Sequence, residues 1–335
     1  MKSVNLKELA KQLNLSISTV SKALNDSYEI TPETKKRVQA LADTLHYQPN
    51  PYARSLRKQK SKTIAVIIPE IANNFFTLAI NGIESIARQH GYHVLIYLTH
   101  EDYQKEVEIT QLLQNGRVDG VLMSLSSSNN ESEHIYDLHK KMLPLVFFDR
   151  VFEELEAARV TTDDYESGYK ATAHLIEQGC KRIAHLGISK DLSIQKKRTQ
   201  GYLQALTDHQ IPIQEDLIIN CSDTIQMNYA FIRELLERKE RPDGVFASVE
   251  KLAINTYQAC AELRLSIPDD IKVISFSNLE TAAFLNPSLT TITQPAFEIG
   301  KQAASILFEA IKMKNIKNHS SVLKSVLIKR RSTGC

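Results

Sequence analysis

From Thr63 onward, short apolar runs alternate with helix-length amphipathic segments, and this rhythm limits the fold more than any other feature of the chain. One series comprises Ile64 to Ile68, Val94 to Leu98, Val121 to Leu125 and Leu145 to Phe148. A second comprises Arg159 to Thr162, Arg182 to Leu186, Leu217 to Asn220, Gly244 to Ala247 and Ile271 to Phe276. Brief hydrophobic runs separated by helices read as strands buried on both faces and joined by helical crossovers, which is a parallel, doubly wound sheet. Two series predict two lobes whose strand ends face a shared cleft. Such a clamp couples ligand binding to hinge closure.

The chain has 335 residues, 42% of them hydrophobic, more than one compact core usually holds, so two or three folding units are expected. The opening Met1 to Glu8 runs straight into a polar amphipathic pattern, and no apolar run approaches the roughly 18 residues of a membrane span, so a soluble cytoplasmic protein is expected. Cys180, Cys221, Cys260 and Cys335 are far apart with no CxxC pair, which reads as ordinary reduced thiols. The net charge of +2 conceals an asymmetry: residues 1 to 62 carry 12 Lys/Arg against 5 Asp/Glu, while the remainder is acidic. A basic segment confined to one end suits a polyanion, above all nucleic acid.

That basic end also patterns as three short helices. Leu6 to Leu13 follows Asn5, a capping residue with Glu8 three positions on. Asn14-Leu15 breaks the pattern, and Ser16 can cap Ile17 to Leu24, whose Val20, Ala23 and Leu24 share an inward face. Thr31-Pro32 opens a third helix through Val38, Leu41, Ala42 and Leu45. Two helices joined by so tight a turn form a helix-turn-helix. The second helix turns Ile17, Ser18, Ser21 and Lys22 outward, flanked by Ser16, Thr19 and Asn25. Hydroxyls suit phosphate oxygens, Lys22 can reach a guanine edge, and Ile17 can touch a thymine methyl.

With those residues in place the chain resembles the LacI family. The resemblance is carried by Leu9-Ala10, Ser16 to Asn25, Thr31 to Thr34, Arg37-Val38, Tyr47 to Asn50 and Ala53 to Leu56. It continues in Ile67 to Glu70, Asn73 to Phe76, Phe148 to Arg150, Arg198 to Tyr202 and Pro287 to Thr291, and so spans nearly the whole chain. It implies an N-terminal all-α helix-turn-helix head plus an α/β periplasmic-binding-protein-like module of two doubly wound parallel-sheet lobes. The implied division is 1–48 for the head, 49–62 for a hinge helix and linker, and 63–335 for the effector-binding and dimerisation module. Lobe one covers about 63–160 and 292–321, lobe two about 161–291 and 322–335, with the chain crossing near Thr161, Thr291 and Ser321. The final strand, Val322 to Ile328, is expected beside lobe two.

The linker from Pro49 to Lys58 has a cap and a first-turn proline but is shorter than the roughly 12 to 15 residues an isolated helix needs. In the family this hinge folds in the minor groove when two subunits meet on DNA, and a leucine wedges between base pairs. Leu56 matches that leucine, and Asn50 and Ala53 lie on the same hinge. The resemblance thus implies a homodimer on a palindromic operator, and no heptad tail follows Ile328, so dimers rather than tetramers are expected. The family commonly has Arg where Lys22 stands, so the bidentate fork is absent and base preference does not transfer.

Catalytic signatures are missing: there is no GxGxxG, GxxxxGK[ST], HExxH or GxSxG, and neither a metal site nor a cofactor is expected. His90, His93 and His100 read as solvated residues, and the pairs Glu153-Glu154 and Asp163-Asp164 as caps or solvated turns. Candidates for binding a small polar molecule sit at strand ends: Asn73, Phe75 and Phe76 after the first strand, Asp149, Glu250 and Asn278 after later ones, and Arg198 early in a helix, where the matching family arginine holds the effector. Structural alternatives stand beside them: Asp149 paired with Arg150, Asn278 capping a helix, Phe75 in the core. Relatives often carry Asn-Asp at Val249-Glu250, so this pocket loses an amide and lengthens an acid. The expected function is a sequence-specific transcriptional regulator, a repressor, controlled by a carbohydrate or derivative. A nucleobase or another small polar metabolite is the alternative ligand, and a solute-binding protein without DNA activity the alternative class. Induction and co-repression both remain open.

Overall fold

A computed structural model describes residues 5–45, 47, 61–114, 117–126, 132–189, 191–221, 225–313 and 319–334. The chain divides into two compact units, Met1–Ser61 and Lys62–Cys335. Asn50, Ala53 and Leu56, expected on the hinge, lie outside the described residues.

The first unit holds α1 (Leu6–Leu13), α2 (Ile17–Leu24) and α3 (Pro32–Thr44). Each begins where a side-chain oxygen accepts from a first-turn amide: Asn5 from Glu8 N at 3.0 Å, Ser16 from Thr19 N at 3.0 Å and Thr31 from Thr34 N at 3.4 Å. Asn14 closes α1 in the left-handed region (φ 55°), which its short polar side chain tolerates. Leu9, Ala10, Val20, Ala23, Val38 and Ala42 form the buried core.

The second unit contains two six-stranded sheets. The first consists of β1 (Thr63–Ile68), β2 (His93–Leu98), β3 (Val121–Met123), β4 (Leu145–Phe148), β5 (Ala158–Thr162) and β11 (Ser320–Leu323), in the order β11-β5-β4-β3-β1-β2. The second consists of β6 (Ile183–Gly187), β7 (Ile218–Asn220), β8 (Gly244–Ala247), β9 (Lys272–Phe276), β10 (Thr290–Thr293) and β12 (Val326–Ile328), in the order β12-β10-β9-β8-β6-β7. All pairings are parallel except β10 with β12. Interior strands are buried on both faces, as β1 shows from Ile64 to Ile68, so their sequences read as continuous apolar runs. The edge strand β2 leaves Leu95 and Ile96 exposed.

Two runs fall in other places than their sequence suggests. The run Arg159 to Thr162, counted with the second series, pairs with β4 and β11 and belongs to the first sheet. The run Val322 to Ile328 is not one strand: Ser320–Leu323 closes the first sheet and Val326–Ile328 the second, with Lys324-Ser325 crossing between them. The other crossings follow Thr162 and Thr293. They are tied together, because Asp163 Oδ1 accepts from Ser325 N at 2.7 Å, and Gln294 Nε2 donates to Thr162 Oγ1 at 3.1 Å. Asp163 is therefore a buried joint between crossing strands rather than a solvated turn.

Helices cover both sheets. In lobe one, α4 (Asn74–Gln89) lies against α11 (Ala296–Met313); in lobe two, α7 (Asp164–Glu177) lies against α8 (Ser193–Asp208). Both pairs cross at glycines. A Cβ on Gly300 would fall on the Ala79 carbonyl, one on Gly201 on the Tyr165 carbonyl, and one on Gly168 on the backbone of Arg198. Close approach of α7 and α8 is thus what brings Arg198 beside the first turn of α7. Gly201→Ala should push these backbones apart and cost about 1–3 kcal/mol, read as a lower urea midpoint with an unchanged slope; an unchanged midpoint would show that the crossing does not need glycine.

Candidate functional site

The loops after parallel strands all emerge at the carboxyl end of the sheet, and where the strand order reverses they leave a crevice. In the first sheet the reversal is at β1, which lies between β2 and β3; in the second it is at β6, between β7 and β8. The carboxyl ends of both sheets border a cleft. All seven residues expected to bind a small molecule line it: Asn73, Phe75, Phe76, Asp149, Arg198, Glu250 and Asn278. Sequence reasoning did not select Arg150, Ile194, Ser248, Phe276, Ser277 or Gln294 for binding, yet they line it too. Only Arg150 and Phe276 carried a signal, as a charge and an aromatic ring at strand ends.

Lobe one supplies its residues by two routes. Asn73 caps α4, its side chain accepting from Phe75 N at 3.0 Å, and thereby turns the helix start toward the cleft. Phe75 and Phe76 pack edge to face at 5.4 Å, and both belong to the lobe-one core, so the core reading holds for most of each ring even though each reaches the cleft. Asp149 follows β4 with a left-handed backbone (φ 60°), an unusual conformation that aims its buried carboxyl into the cleft. Burial pushes that carboxyl up to about 6 against the pull of Arg150 and Arg198. The alternative pairing with Arg150 is loose, at 4.0 Å, because Arg150 Nη1 is held at 2.8 Å by both carboxylate oxygens of Glu101.

Lobe two places Arg198 at the floor of the cleft. Its Nε and Nη2 reach Asp164 Oδ1 at 2.8 and 2.7 Å, its Nη1 donates to the Ser248 carbonyl at 2.7 Å, and its guanidinium lies 3.7 Å from the centre of the Phe276 ring. Burial raises the Asp164 carboxyl from its ordinary value while Arg198 pulls it back down. Asp164 is thus a buried counter-ion and not a solvated acid. Glu250 begins α10 (Glu250–Leu263) and accepts from Ser277 Oγ at 2.8 Å within its lobe and from Asn74 Nδ2 at 2.9 Å across the cleft. Asn278 does not cap a helix: its amide nitrogen donates to the Gln294 carbonyl at 2.7 Å, and its Oδ1 has no partner. Ser248 Oγ and Arg150 Nε are likewise buried and unpartnered.

On the head, Ser16, Ile17, Ser18 and Asn25 are exposed, and Thr19, Ser21 and Lys22 are half-buried. The Lys22 ammonium is paired with the Glu29 carboxylate, seven residues on, and Asn25 Nδ2 returns to the Ser21 carbonyl at 2.7 Å. His90, His93 and His100 are exposed, and no group of three or more His, Cys, Asp or Glu among the described residues is placed to hold a metal. No helix among the described residues is long and apolar enough to cross a membrane.

A helix-turn-helix head on the same chain as a two-lobed, small-molecule clamp defines a ligand-responsive DNA-binding regulator of transcription. The chain belongs to the lacI family of bacterial regulatory proteins: residues 5–50 match the model for "Bacterial regulatory proteins, lacI family", and residues 61–332 match that for "Periplasmic binding proteins and sugar binding domain of LacI family". It is 32% identical to the transcriptional repressor PurR of Vibrio atlanticus over 92% of both chains. Among solved structures it is similar to a LacI family regulator from Enterococcus faecium with bound ribose (30% identity, TM-score 0.71, covering 81% of this chain and 98% of that one). The fold is also shared with the Lac repressor dimer bound to operator and an anti-inducer (21% identity, TM-score 0.84, 99% of each chain). Relatives of this kind are regulators, and so is this chain; neither an enzyme nor a solute-binding protein without a DNA head fits the match to both models.

Arg198 is tied into the fold through its buried pair with Asp164, so Arg198→Ala tests stability as well as binding. That change strands Asp164 as a buried charge without its counter-ion and should cost about 3–5 kcal/mol, measurable as a reduced urea midpoint of the ligand-free protein. Asp149 should behave oppositely. Its folded-state pKa is raised, so its contribution to stability is complete below about pH 4 and is lost as pH rises through about 6. Asp149→Asn, which suits a left-handed backbone, should therefore stabilise the ligand-free protein by up to about 3 kcal/mol near pH 8 and change little near pH 4. Equal effects at both pH values would contradict this.

Proposed function

We propose that this protein is a repressor that binds a palindromic operator as a homodimer in the cytoplasm and changes its operator affinity when a carbohydrate or carbohydrate derivative enters the cleft. The observation that carries this reading is the convergence of Asn73, Phe75, Phe76, Asp149, Arg198, Glu250 and Asn278 on one cleft at the two strand-order reversals. Mixed aromatic faces and hydrogen-bonding side chains are the usual lining for a hydroxylated ring. The ribose bound to the Enterococcus faecium relative and the sugar-binding description of the matched family support the same ligand class. The Asn74–Glu250 hydrogen bond spans the lobes, so a ligand that competes for Glu250 changes the balance between open and closed forms.

In the head, Ser16, Ile17, Ser18, Thr19, Ser21, Lys22 and Asn25 form the proposed major-groove surface, with Asn50, Ala53 and Leu56 on the proposed minor-groove hinge. Dimerisation is supported by apolar surface that a monomer would leave in water: Leu95 and Ile96 on the edge strand β2, and Phe284, which is 84% exposed. A single head buries too little DNA for strong discrimination, which also favours two. The Lys22–Glu29 pair means that Lys22 must exchange one carboxylate for a base edge on binding, so Glu29 opposes non-specific contact with phosphate.

The test is operator binding by full-length protein, followed by fluorescence anisotropy on the DNA upstream of its own gene and on random DNA. Wild type should prefer the former. Leu56→Ala should remove most of that preference while leaving salt-sensitive binding to random DNA nearly intact, since a wedge acts only at a deformable central step. Lys22→Ala should lose about 1–3 kcal/mol at one base pair of each half-site. Equal losses on both DNAs would show that neither residue carries specificity, and purely monomeric protein on DNA would defeat the dimer.

A further inference from the structure

We infer that the cleft selects a polyhydroxylated ring without an anionic group, and that it prefers the amine-bearing form of such a ring to its phosphate ester. The inference rests on the effector reading above and narrows its chemical class. Its basis is the way charge is distributed around the cleft.

Anionic ligands are held by guanidinium or ammonium groups with free N–H bonds, or by unoccupied amides at a helix start. Among the described residues, the cations that line the cleft are two arginines, and each already has a carboxylate of its own: Arg198 is held by Asp164 and Arg150 by Glu101. Arg198 further uses Nη1 on a backbone carbonyl and presents one face to an aromatic ring. Two of the helix starts at the cleft are guarded. At α4 the Asn73 side chain occupies the Phe75 amide, and at α10 the first residue is Glu250, an acid placed where an anion would otherwise dock.

The acids are placed differently. Asp149 and Glu250 come from opposite lobes. Glu250 accepts from two neutral groups, the Asn74 amide and the Ser277 hydroxyl, while Arg150 approaches Asp149 no closer than 4.0 Å. Once Glu101 and Asp164 are set against the two arginines, these two carboxyls remain as an excess of negative charge in a largely desolvated site, where Coulomb interactions are strong. Of the unpartnered buried polar atoms in its lining, Asn278 Oδ1 accepts, Arg150 Nε donates and the Ser248 hydroxyl can do either. Sugar hydroxyls and an ammonium supply donors. A phosphate at neutral pH supplies almost none and adds repulsion.

The experiment uses full-length protein and matched sets of probes: glucose, glucosamine and glucose 6-phosphate; galactose, galactosamine and galactose 1-phosphate; ribose and ribose 5-phosphate. Thermal unfolding screens each set, and calorimetry measures the affinities of those that shift it. At least one neutral or amino sugar should raise the melting temperature, with its phosphate ester at least tenfold weaker. Glu250→Gln should narrow the gap between the amine-bearing ring and its phosphate ester at least tenfold while preserving the hydrogen bonds to Asn74 or Ser277 that keep the protein folded. A phosphate ester that binds as tightly as its parent, or shifts confined to the phosphate esters, or no shift from any neutral or amino member, would overturn the inference. Operator binding, measured on the same preparation, separates the two failures: retained operator binding with only phosphate esters active sinks this inference alone, whereas lost operator binding sinks the regulatory reading.

Discussion

Parallel strands are joined through crossovers that return the chain to the same edge each time, so every loop following a strand is delivered to one end of its sheet. Here that constraint acts twice, and the two sheets turn their delivering ends toward each other. Residues separated by more than two hundred positions, such as Phe75 and Asn278, consequently share a wall without any local sequence signal connecting them. The helices that cover the sheets then set the depth of the cleft. Where α7 and α8 cross at Gly168 and Gly201, the helix backbones come close enough for Arg198 to reach Asp164, and the guanidinium becomes a fixed part of the floor.

Legibility of this molecule in its sequence followed the range of the interactions involved. Caps at Asn5, Ser16 and Thr31 are local and were readable, as were the apolar runs, because burial on both faces leaves no polar alternation. The seven cleft residues were readable through motif and position at strand ends. Sheet membership was not, since β5 has the same apolar character whichever sheet it joins and its neighbours are β4 and a strand far along the chain, β11. The split of Val322 to Ile328 was hidden for the same reason: the break is made by Ser325 bonding to Asp163, a partner 162 positions away. Gln294, Ser277 and Ser248 are small neutral groups whose roles come only from place. Asp163 and Asp164 looked like a solvated pair because adjacent acids usually are; here one joins strands and the other neutralises an arginine.

The cleft also shows how stability is divided between holding a shape and binding a ligand. Arg198 with Asp164, and Arg150 with Glu101, are satisfied within the protein and fix the positions of the wall. Asp149 is the opposite case: a buried carboxyl on an uncommon backbone conformation, with its proton affinity raised by burial against the pull of Arg150 and Arg198. Groups left short of partners, such as Ser248 Oγ and Asn278 Oδ1, belong with it. Functional sites commonly retain such local disadvantages because a ligand relieves them.

The three stitched crossings between the lobes have a mechanical consequence. A single connecting strand would let one lobe swing, tilt and roll independently of the other. Three strands held together by the Asp163–Ser325 and Gln294–Thr162 bonds resist all relative movements except those that bend or twist the three in concert. The module therefore has few soft degrees of freedom, and whatever fills the cleft can act on the rest of the molecule only along them. Ligands of different shape would then differ in how far they drive the same motion, and a graded chemical input becomes displacement along one path.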